Sequence, residues 1–414
     1  MTTPAAPTTE PTDLRPDGRD HRPVTGAPHD ILSAARHVAR IASAAAMGHD
    51  SATTFPAEAF DEIRASGLLA APLPASQGGA GFDESVDGRL LLLRLLTTIG
   101  RGDLSTGRIY EGHVNALQLM RAFGSPGQIE RWAADARDHG MLFAVWNTEA
   151  GDGLRLIPFD DGRRLEGSKT FASGADHVSR PIVTAALPDG SRQMLVVPME
   201  RIDVTVDRDW WQPLGMRSSV SHRVDFTGVV VDPDDLLGAP GDYHRQPWLG
   251  AGAIRFAAVQ LGGAQALLDA TRDVLRALDR AGDAHQQTRM GHGALLVESG
   301  RLWLRGAAER VRLGPDAGQC DPSGRSIAYA NLMRTAIERI CLNVIEIAIR
   351  SAGARVLIQP HTIERIARDL TVYLRQPAPD AALAQAGAFT LESDKPIESV
   401  WNDDGHAGRA SPTA

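Results

Sequence analysis

Two short stretches decide how the rest of this sequence is interpreted: Phe143-Ala-Val-Trp-Asn-Thr-Glu-Ala150 and Glu166-Gly-Ser-Lys-Thr-Phe-Ala-Ser-Gly174. Each is a short apolar run, typical of a strand, that ends in small hydroxyl, amide and aromatic residues. A segment rich in Gly and Asp separates them. Strand ends of this kind can present backbone and hydroxyl groups to a flat ring. An exposed hairpin with polar tips has the same pattern, so the rest of the chain must decide.

Length and composition set the broad class of protein. The chain has 414 residues, of which 43% are hydrophobic and 23% charged, as expected for a globular protein of two or three domains. A net charge of −8 leaves no basic excess to neutralise phosphates, which argues against a nucleic-acid partner. No apolar run reaches the roughly 20 residues that span a bilayer, so no membrane partner is predicted.

Cysteine and histidine usage points to a reducing compartment and to no metal. The two cysteines, Cys320 and Cys341, form no Cys-x-x-Cys pair, which argues against a disulfide framework and fits a cytoplasmic location. His285 and His292 can share one helix face, but no third ligand accompanies them. We therefore predict no metal site.

The period of the apolar residues changes twice along the chain and predicts an α+β fold. The predicted parts are a disordered tail, an N-terminal all-α domain, a small central antiparallel β-barrel or sandwich domain, a C-terminal up-and-down four-helix bundle and a flexible tail. Their boundaries are 1–28, 29–140, 141–240, 241–388 and 389–414.

Three motifs in this order of domains resemble the acyl-CoA dehydrogenase superfamily over about residues 30–385. They are Phe55-Pro-Ala-Glu-Ala-Phe60 with the later Gly78-Gly-Ala-Gly81, the two stretches quoted first, and Trp211-Gln-Pro-Leu-Gly-Met-Arg-Ser-Ser-Val-Ser221. The resemblance implies FAD, with FMN as the alternative flavin, and a homodimer or homotetramer that completes the dinucleotide pocket. It also implies a small-molecule or acyl-thioester substrate.

The resemblance also implies which residues contact the flavin. Trp146, Asn147 and Thr148 would approach its pyrimidine side, and Phe171 and Ser173 its central ring. Hydrogen-bond donors aimed at a reduced flavin stabilise its negative charge. Core packing is the alternative role for the two aromatic residues, and strand-end capping is the alternative for the two hydroxyl residues.

A second set of flavin contacts would come from another subunit. An arginine-containing element of the family reaches the pyrophosphate of the neighbouring subunit's flavin. Gln287 and Arg289 stand in its place here. A solvated helix arginine is the alternative interpretation of Arg289.

The general base of the family's dehydrogenases has no counterpart in the sequence. They use a Glu to remove a proton from the thioester, commonly after an Arg-Asp pair. Here Arg368-Asp369 leads to Pro377 at that position, and the other position used in the family falls near Gly252. Neither residue ionises, and a general base normally contributes about 10²–10⁴-fold. The first prediction is therefore an atypical flavin-dependent dehydrogenase that acts on an acyl thioester or a related substrate.

Two alternatives remain open. One branch of the superfamily contains flavin-dependent monooxygenases, which use reduced flavin and oxygen and need no Glu. In that interpretation the catalytic residues are Ser173, beside the reacting flavin atoms, and His113 and Asn147, which would hydrogen-bond the oxygen. A buried packing histidine is the alternative role for His113. The other alternative is a catalytically inactive flavin- or acyl-binding module.

Overall fold

Helices form both ends of the described chain and strands form its middle. The computed structural model describes residues 28–151, 153–160, 162–312, 324–375 and 378–401. Three predicted features therefore lie outside the described residues: all but the last residue of the tail predicted over 1–28, residues 402–414 of the tail predicted over 389–414, and the base position at Pro377. Five helices come first: α1 Pro28–Ala52, α2 Ala57–Ala65, α3 Val86–Gly102, α4 Leu104–Phe123 and α5 Pro126–Arg137.

Side chains at the helix starts explain why the N-terminal helices begin where they do. Asp103 separates α3 from α4, and its carboxylate accepts a hydrogen bond from the backbone N–H of Thr106 at 2.8 Å. Ser125 and Gln128 form a reciprocal capping box before α5, with a proline in the first turn. The all-α character predicted for this part is confirmed within the described residues.

The central strands form two sheets that do not close into a barrel. Their bounds are β1 Phe143–Trp146, β2 Arg155–Phe159, β3 Gly162–Glu166, β4 Ser168–Ala172, β5 Arg180–Ala186, β6 Arg192–Val196, β7 Thr205–Asp207, β8 His222–Asp225, β9 Val230–Val231 and β10 Leu236–Leu237. The larger sheet has the order β10-β6-β5-β2-β3-β9, with β1 also paired to β5. The smaller sheet has the order β4-β8-β7.

The two stretches that opened the sequence analysis belong to different sheets, so they do not form a hairpin with each other. A separate hairpin, β2–β3, lies between them. The predicted antiparallel domain is also mixed, because β1 and β2 both pair with β5 in parallel. The connection from β1 to β5 is long enough for a parallel crossover, which a tight turn would not allow.

Long helices return after the strands. They are α6 Trp248–Ala251, α7 Ala253–Ala277, α8 Ala284–Arg310, α9 Arg325–Ala352, α10 Thr362–Tyr373 and α11 Pro379–Glu392. Helix α7 packs against α8, α9 and α10, and also against α3 and α4 of the first part. None of the helices in the described part of the chain is both long and apolar enough to cross a membrane.

The end of the described chain is more ordered than the sequence predicted. The predicted flexible segment starts at residue 389, but α11 continues to Glu392. Beyond it Val400 is buried, and the Trp401 ring lies 5.5 Å from that of Phe389 and 6.2 Å from that of Tyr329. The prediction is therefore wrong for residues 389–401, because two aromatic contacts anchor a segment of polar composition.

Glycines bring α4 and α7 into close contact. A Cβ added to Gly107 on α4 would lie 2.5 Å from Val259 Cγ1 on α7. One added to Gly262 would lie 2.2 Å from the carbonyl oxygen of Thr97 on α3. A side chain at either position would push the helices apart, since real Cβ contacts are longer than 3 Å. The three helices therefore cross at this point.

Candidate functional site

Backbone and side-chain hydrogen bonds join the ends of β1 and β4. The N–H of Thr170 donates to the carbonyl oxygen of Thr148 at 3.0 Å. The indole Nε1–H of Trp146 donates to the carbonyl oxygen of Ser173 at 3.1 Å. The structure therefore brings together the residues that the sequence predicted for the flavin edge. We call Asn147, Thr148, Phe171 and Ser173 the strand-end site.

Trp146 is buried next to the strand-end site and stabilises it. Its side chain is buried, and its ring centroid lies 6.4 Å from that of Phe226, which follows the smaller sheet. The packing role considered for Trp146 is therefore present, and the hydrogen bond to Ser173 fixes the end of β4 as well. Thr148, in contrast, is exposed at the end of β1.

A buried ion cluster lies directly beneath the strand-end site. Lys169 is completely buried, and its ammonium group donates to Glu149 at 2.5 Å and to the carbonyl oxygen of Asn147 at 3.3 Å. Arg192 forms two hydrogen bonds of 2.6 Å to the same carboxylate. Burial opposes ionisation of Glu149, but hydrogen bonds from Arg192 and Lys169 outweigh it and lower its pKa to about 2.

The amide of Asn147 is held in one orientation. Thr184 Oγ1 accepts a hydrogen bond from Lys169 at 3.0 Å, because an ammonium group can only donate. The Thr184 hydroxyl then donates to Asn147 Oδ1, which lies 2.6 Å away. The amide NH₂ of Asn147 is left as a donor at the end of β1, and it forms no hydrogen bond to any residue that the structure describes.

A chain of three hydroxyl groups fixes whether the Ser173 hydroxyl donates or accepts a further hydrogen bond. Ser219 donates to the carbonyl oxygen of Met216 at 2.8 Å, since a carbonyl can only accept. Ser221 must therefore donate to Ser219 at 2.7 Å, and Ser173 to Ser221 at 2.9 Å. Each hydroxyl has one proton, so the Ser173 oxygen is left as an acceptor for any further partner.

Phe171 presents its ring beside two tryptophans. Its side chain is 49% exposed, and it meets the rings of Trp210 and Trp211 edge-on at 5.0 and 5.7 Å. Its φ of +53° lies in the left-handed region, which is costly for an aromatic residue and occurs often at functional sites. The strand pairing is irregular between Lys169 and Ala172, and this bulge turns the ring outward.

Replacing Phe171 with glycine separates the role of its aromatic ring from the cost of its positive φ. Glycine adopts positive φ without strain, so relief of about 1 kcal/mol offsets the lost aromatic contacts, each worth about 0.5–1.5 kcal/mol. We expect the free energy of unfolding, measured in urea, to fall by no more than about 2 kcal/mol. FMN binding, followed by quenching of flavin fluorescence, should weaken about tenfold or more, because a flat ring loses its contact face. The control, Phe171→Tyr, should bind FMN as the unchanged protein does; equal binding by the glycine variant would contradict the assignment.

His113 is a structural histidine. It is completely buried, and its Nε2–H donates to the carbonyl oxygen of Leu69 at 2.8 Å. The backbone N–H of Phe143 donates to its Nδ1 at 3.1 Å. Burial lowers the pKa of His113 to about 4, so the ring is neutral. Both ring nitrogens are engaged with backbone, which supports the packing alternative and argues against the predicted contact with oxygen.

His113 makes stability depend on pH. Its folded pKa of about 4 lies below the ordinary histidine value of 6.5, so the unfolded chain binds the proton more readily. The stabilisation is present above about pH 6.5 and falls toward pH 4, and about 2 kcal/mol is lost between pH 7 and pH 5. We expect His113→Gln, which offers a similar donor and acceptor, to show a correspondingly smaller loss over that interval in urea unfolding. Equal losses for both proteins would contradict the assignment.

Gln287 and Arg289 lie away from the strand-end site. Both are on the first turns of α8, where Gln287 donates to the carbonyl oxygen of Ala281 at 3.1 Å. Arg289 lies 3.1 Å from the side-chain oxygen of Gln286 once that amide is oriented to satisfy its neighbours. Among the residues that the structure describes, neither side chain contacts β1 or β4. Their predicted role at a neighbouring subunit's flavin stays a prediction.

The structure describes no free carboxylate at the positions where a dehydrogenase base was sought. Gly252, between α6 and α7, has no side chain. Asp369 is buried and accepts a hydrogen bond from the backbone N–H of Met216 at 2.6 Å. Arg368 pairs with Asp50 at 2.7 Å and joins α10 to α1. These pairings show that the Arg-Asp element holds the helical and strand parts together.

Two other candidate sites do not compete with the strand-end site. No group of three metal-ligating side chains occurs within the described ranges. A small open cleft lies between α4, α5 and the loop that precedes α3, and its lining includes Leu73, Gln77 and Trp132. This lining is largely apolar and contains none of the strand-end residues.

Several functional residues escaped the sequence analysis. Glu149 and Lys169 lie within the stretches first quoted, but nothing in the sequence shows that they meet in a buried pair. Ser219 and Ser221 lie in the third motif, where alternate serines on one segment are the only sign of a hydroxyl chain. Three charged residues on α4 and α7, namely Arg108, Glu111 and Arg255, also come together. Their sequence had no signal beyond its helical spacing.

Comparison with known proteins identifies the family. The model described as acyl-CoA dehydrogenase, N-terminal domain, matches residues 29–138, and the model described as acyl-CoA dehydrogenase, C-terminal domain, matches residues 254–375. Together they span more than half of the chain. The fold is therefore that of an acyl-CoA dehydrogenase-like protein. The chain belongs to the acyl-CoA dehydrogenase family, which confirms the resemblance found in the sequence.

Relatives along the full length are named as monooxygenases. Dibenzothiophene monooxygenase of Rhodococcus erythropolis is 25% identical over 422 residues, which cover 93% of this chain and 98% of that protein. "Probable FMNH2-dependent monooxygenase SfnC" of Pseudomonas putida is 22% identical over 92% of this chain and 99% of its own length. The crystal structure of FMN-bound TdsC from Paenibacillus sp. A11-2 has a TM-score of 0.80 at 24% identity, covering 90% of this chain and all of that one. These names favour the monooxygenase alternative over the atypical dehydrogenase.

Proposed function

We propose that this protein is a flavin-dependent monooxygenase that uses reduced flavin and oxygen. The observation that carries the proposal is the strand-end site, which presents an ordered hydroxyl chain and an oriented amide. In such a reaction one oxygen atom enters the substrate. The other leaves as water, with two electrons and two protons supplied by the reduced flavin.

The residues of the strand-end site fit a flavin ring. The exposed ring of Phe171 offers an apolar face, and the amide NH₂ of Asn147 is a donor suited to a ring carbonyl or nitrogen. The Ser173 oxygen is an acceptor suited to a ring N–H. The flavin supplies the electrons and the site of oxygen activation when bound, and the chain supplies the contacts that hold and orient it.

The polarity of Ser173 favours the reduced flavin. The central ring nitrogen beside the reacting carbon carries a proton in reduced flavin and only a lone pair in oxidised flavin. Because the Ser173 proton is committed to Ser221, its oxygen can accept from the reduced ring but has no proton for the oxidised one. We therefore propose that reduced FMN or FAD binds more tightly than the oxidised form.

A second copy of this chain is the proposed partner. Helix α8 exposes Leu295 and Leu302, which are seven residues apart and so share one face. Exposed apolar positions on one face are typical of subunit interfaces. We propose a homodimer or homotetramer in which Gln287 and Arg289, on the same helix, approach the flavin of the neighbouring subunit.

Flavin titration tests the assignment. Oxidised and photoreduced FMN and FAD are each titrated into the full chain without oxygen, and the dissociation constants are compared. We expect the reduced form to bind about tenfold more tightly, which corresponds to one hydrogen bond of about 1.4 kcal/mol. Failure to bind any flavin would support the inactive acyl-binding alternative.

The atypical dehydrogenase is tested in the same preparation. Protein loaded with oxidised FAD or FMN is mixed with a panel of acyl-CoA thioesters without oxygen. A dehydrogenase would bleach the flavin and form an enoyl thioester, and this would overturn the monooxygenase proposal. We expect no bleaching, because no free carboxylate stands at the described base positions.

A further inference from the structure

One face of helix α4 is partly exposed, although the rest of the helix is buried. From Leu104 to Met120 every residue of this helix is buried except Arg108 and Asn115. They are seven residues apart, which is two helical turns, so they share a face. The guanidinium of Arg108 is surrounded by protein, yet 25% of its side-chain surface is exposed. Solvent therefore reaches this face of an otherwise enclosed helix.

Helix α7 places a buried arginine against helix α4. Arg255 donates to Asn115 Oδ1 and to Gln118 Oε1, both at 2.5 Å, so its two terminal nitrogens bond neutral amides. Its Nε lies 4.0 Å from Glu111 Oε2 and forms no hydrogen bond to any residue in the described ranges. Glu111 is instead bonded to Arg108 at 2.6 Å. We call Arg108, Glu111, Asn115 and Arg255 the arginine chamber.

The charges of the arginine chamber do not balance. Two guanidinium groups share the single carboxylate of Glu111. Asp83, the next acid, accepts hydrogen bonds from Gln118, lies 3.9 Å from Arg121 and interacts electrostatically with Arg255. With Asp83 and Arg121 included, three guanidinium groups share two carboxylates. A net positive charge inside a protein is costly unless it is paired. An anion that enters the chamber would supply the missing charge.

The arginine chamber adjoins the strand-end site. Ile109, which follows Arg108 on α4, contacts the residue after Ser173: a Cβ added to Gly174 would lie 3.5 Å from Ile109 Cγ2. The close crossing of α4 and α7 at Gly107 and Val259 lies next to Arg108 and one turn from Arg255. Helix α4, which carries Arg108, therefore packs next to the end of β4.

We propose that the arginine chamber binds an oxyanion group of the substrate, such as a carboxylate, sulfinate or sulfonate. Arg108 has nitrogens available for a second partner besides Glu111, and its planar guanidinium suits two parallel hydrogen bonds to an oxyanion. The amide NH₂ of Asn115, on the exposed face, adds a donor. That the anion belongs to the substrate rests on the proposed function; anion binding itself does not.

Matched ligands test this inference. The probes are 4-(methylthio)benzoate, benzenesulfinate and benzenesulfonate, with methyl 4-(methylthio)benzoate as the uncharged partner of the first. Each is titrated calorimetrically into the full chain saturated with oxidised FMN, or into the flavin-free chain if FMN does not bind. We expect at least one anion to bind about 10- to 100-fold more tightly than the ester, as charged hydrogen bonds imply. Equal binding of acid and ester, or no binding of any anion, overturns the inference.

Variants locate the binding to the arginine chamber. Arg108→Gln should weaken anion binding about 10- to 100-fold and leave ester binding unchanged. The control is Arg101→Gln, which removes an exposed pair with Asp269 at 2.6 Å that also joins α7; it should leave anion binding unchanged. Arg108→Lys keeps the positive charge and is used if the glutamine variant does not fold. It should also weaken anion binding, because an ammonium group cannot form two parallel hydrogen bonds to an oxyanion. If the foldable Arg108 variant binds anions as the parent does, the inference is wrong.

The outcomes separate this inference from the proposed function. Anion binding that depends on Arg108, without oxygenation of any ligand, leaves the chamber intact and overturns only the monooxygenase. Oxygenation of the ester together with absent anion binding overturns only the chamber.

Discussion

Replacing Glu149 with alanine is expected to lower the free energy of unfolding by about 3–5 kcal/mol. The change leaves the buried ammonium of Lys169 beside Arg192 without a carboxylate, and an uncompensated buried charge is strongly destabilising. Urea unfolding followed by tryptophan fluorescence measures the effect. Burial raises the pKa of Glu149, but hydrogen bonds from Arg192 and Lys169 outweigh it and hold the pKa at about 2, so the ionised carboxylate stabilises the folded state.

The matched control for this change is Glu166→Ala. Glu166 also contacts two arginines, Arg155 at 3.2 Å and Arg164 at 3.1 Å, but all three side chains are partly exposed. Exposed pairs contribute up to about 1 kcal/mol, so the control should lose no more than that. Equal losses for the two variants would show that the Glu149 cluster does not stabilise the strand ends.

The Glu149 carboxylate should also make the free energy of unfolding depend on pH. Its folded pKa is depressed, so its contribution is present above about pH 4.5 and is lost as the pH falls toward 2. The Glu149→Ala variant should therefore show a smaller loss of stability over that interval than the unchanged protein.

Replacing Ser173 with alanine is expected to slow oxygenation about 10²–10³-fold. The Ser173 oxygen is the acceptor that the hydroxyl chain presents to the flavin, and loss of one oriented hydrogen-bonding group at a reacting centre has effects of this size. The rate of product formation with photoreduced FMN and oxygen measures it. Flavin binding should change less, since Phe171 and Asn147 remain. A rate within threefold of the unchanged protein would contradict the role of Ser173.

Replacing Ser219 with alanine should have a smaller effect than replacing Ser173. Without the Ser219 proton on the Met216 carbonyl, the protons of Ser221 and Ser173 are no longer ordered. Roughly a 2- to 10-fold loss of the preference for reduced flavin is expected, in line with one neutral hydrogen bond. Ser219 acts through Ser221 and is a positioning residue, so its effect should be on this preference more than on flavin affinity overall.

Much of the fold follows from local sequence patterns. Helices α4, α7 and α9 carry apolar residues at a helical period over long segments, and such signals are the most dependable. The parallel pairing of β1 with β5 was not predictable, because both partners are short apolar runs and the period of two is the same in either direction. The β2–β3 hairpin was missed for a different reason: Arg163 and Arg164 interrupt its alternation.

The candidate site was predictable in its members but not in its polarity. Asn147 and Ser173 were found from the resemblance. The role of Asn147 depends on Lys169 and Thr184, which are 22 and 37 residues away along the chain, and that of Ser173 depends on Ser221, which is 48 residues away. For His113, the hydrogen-bond partners could not be predicted from the sequence. Its partners are the backbone groups of Leu69 and Phe143, which no side-chain pattern can reveal.

Oxygen isotope transfer tests the central claim most directly. The full chain is mixed with photoreduced FMN, ¹⁸O₂ and a panel of aryl methyl sulfides with and without a carboxylate, and the organic products are analysed by mass spectrometry. The account predicts a sulfoxide that carries one ¹⁸O atom, with up to one product formed per reduced flavin consumed. Label found only in water and hydrogen peroxide, in a preparation that converts acyl-CoA thioesters to enoyl thioesters, would contradict it.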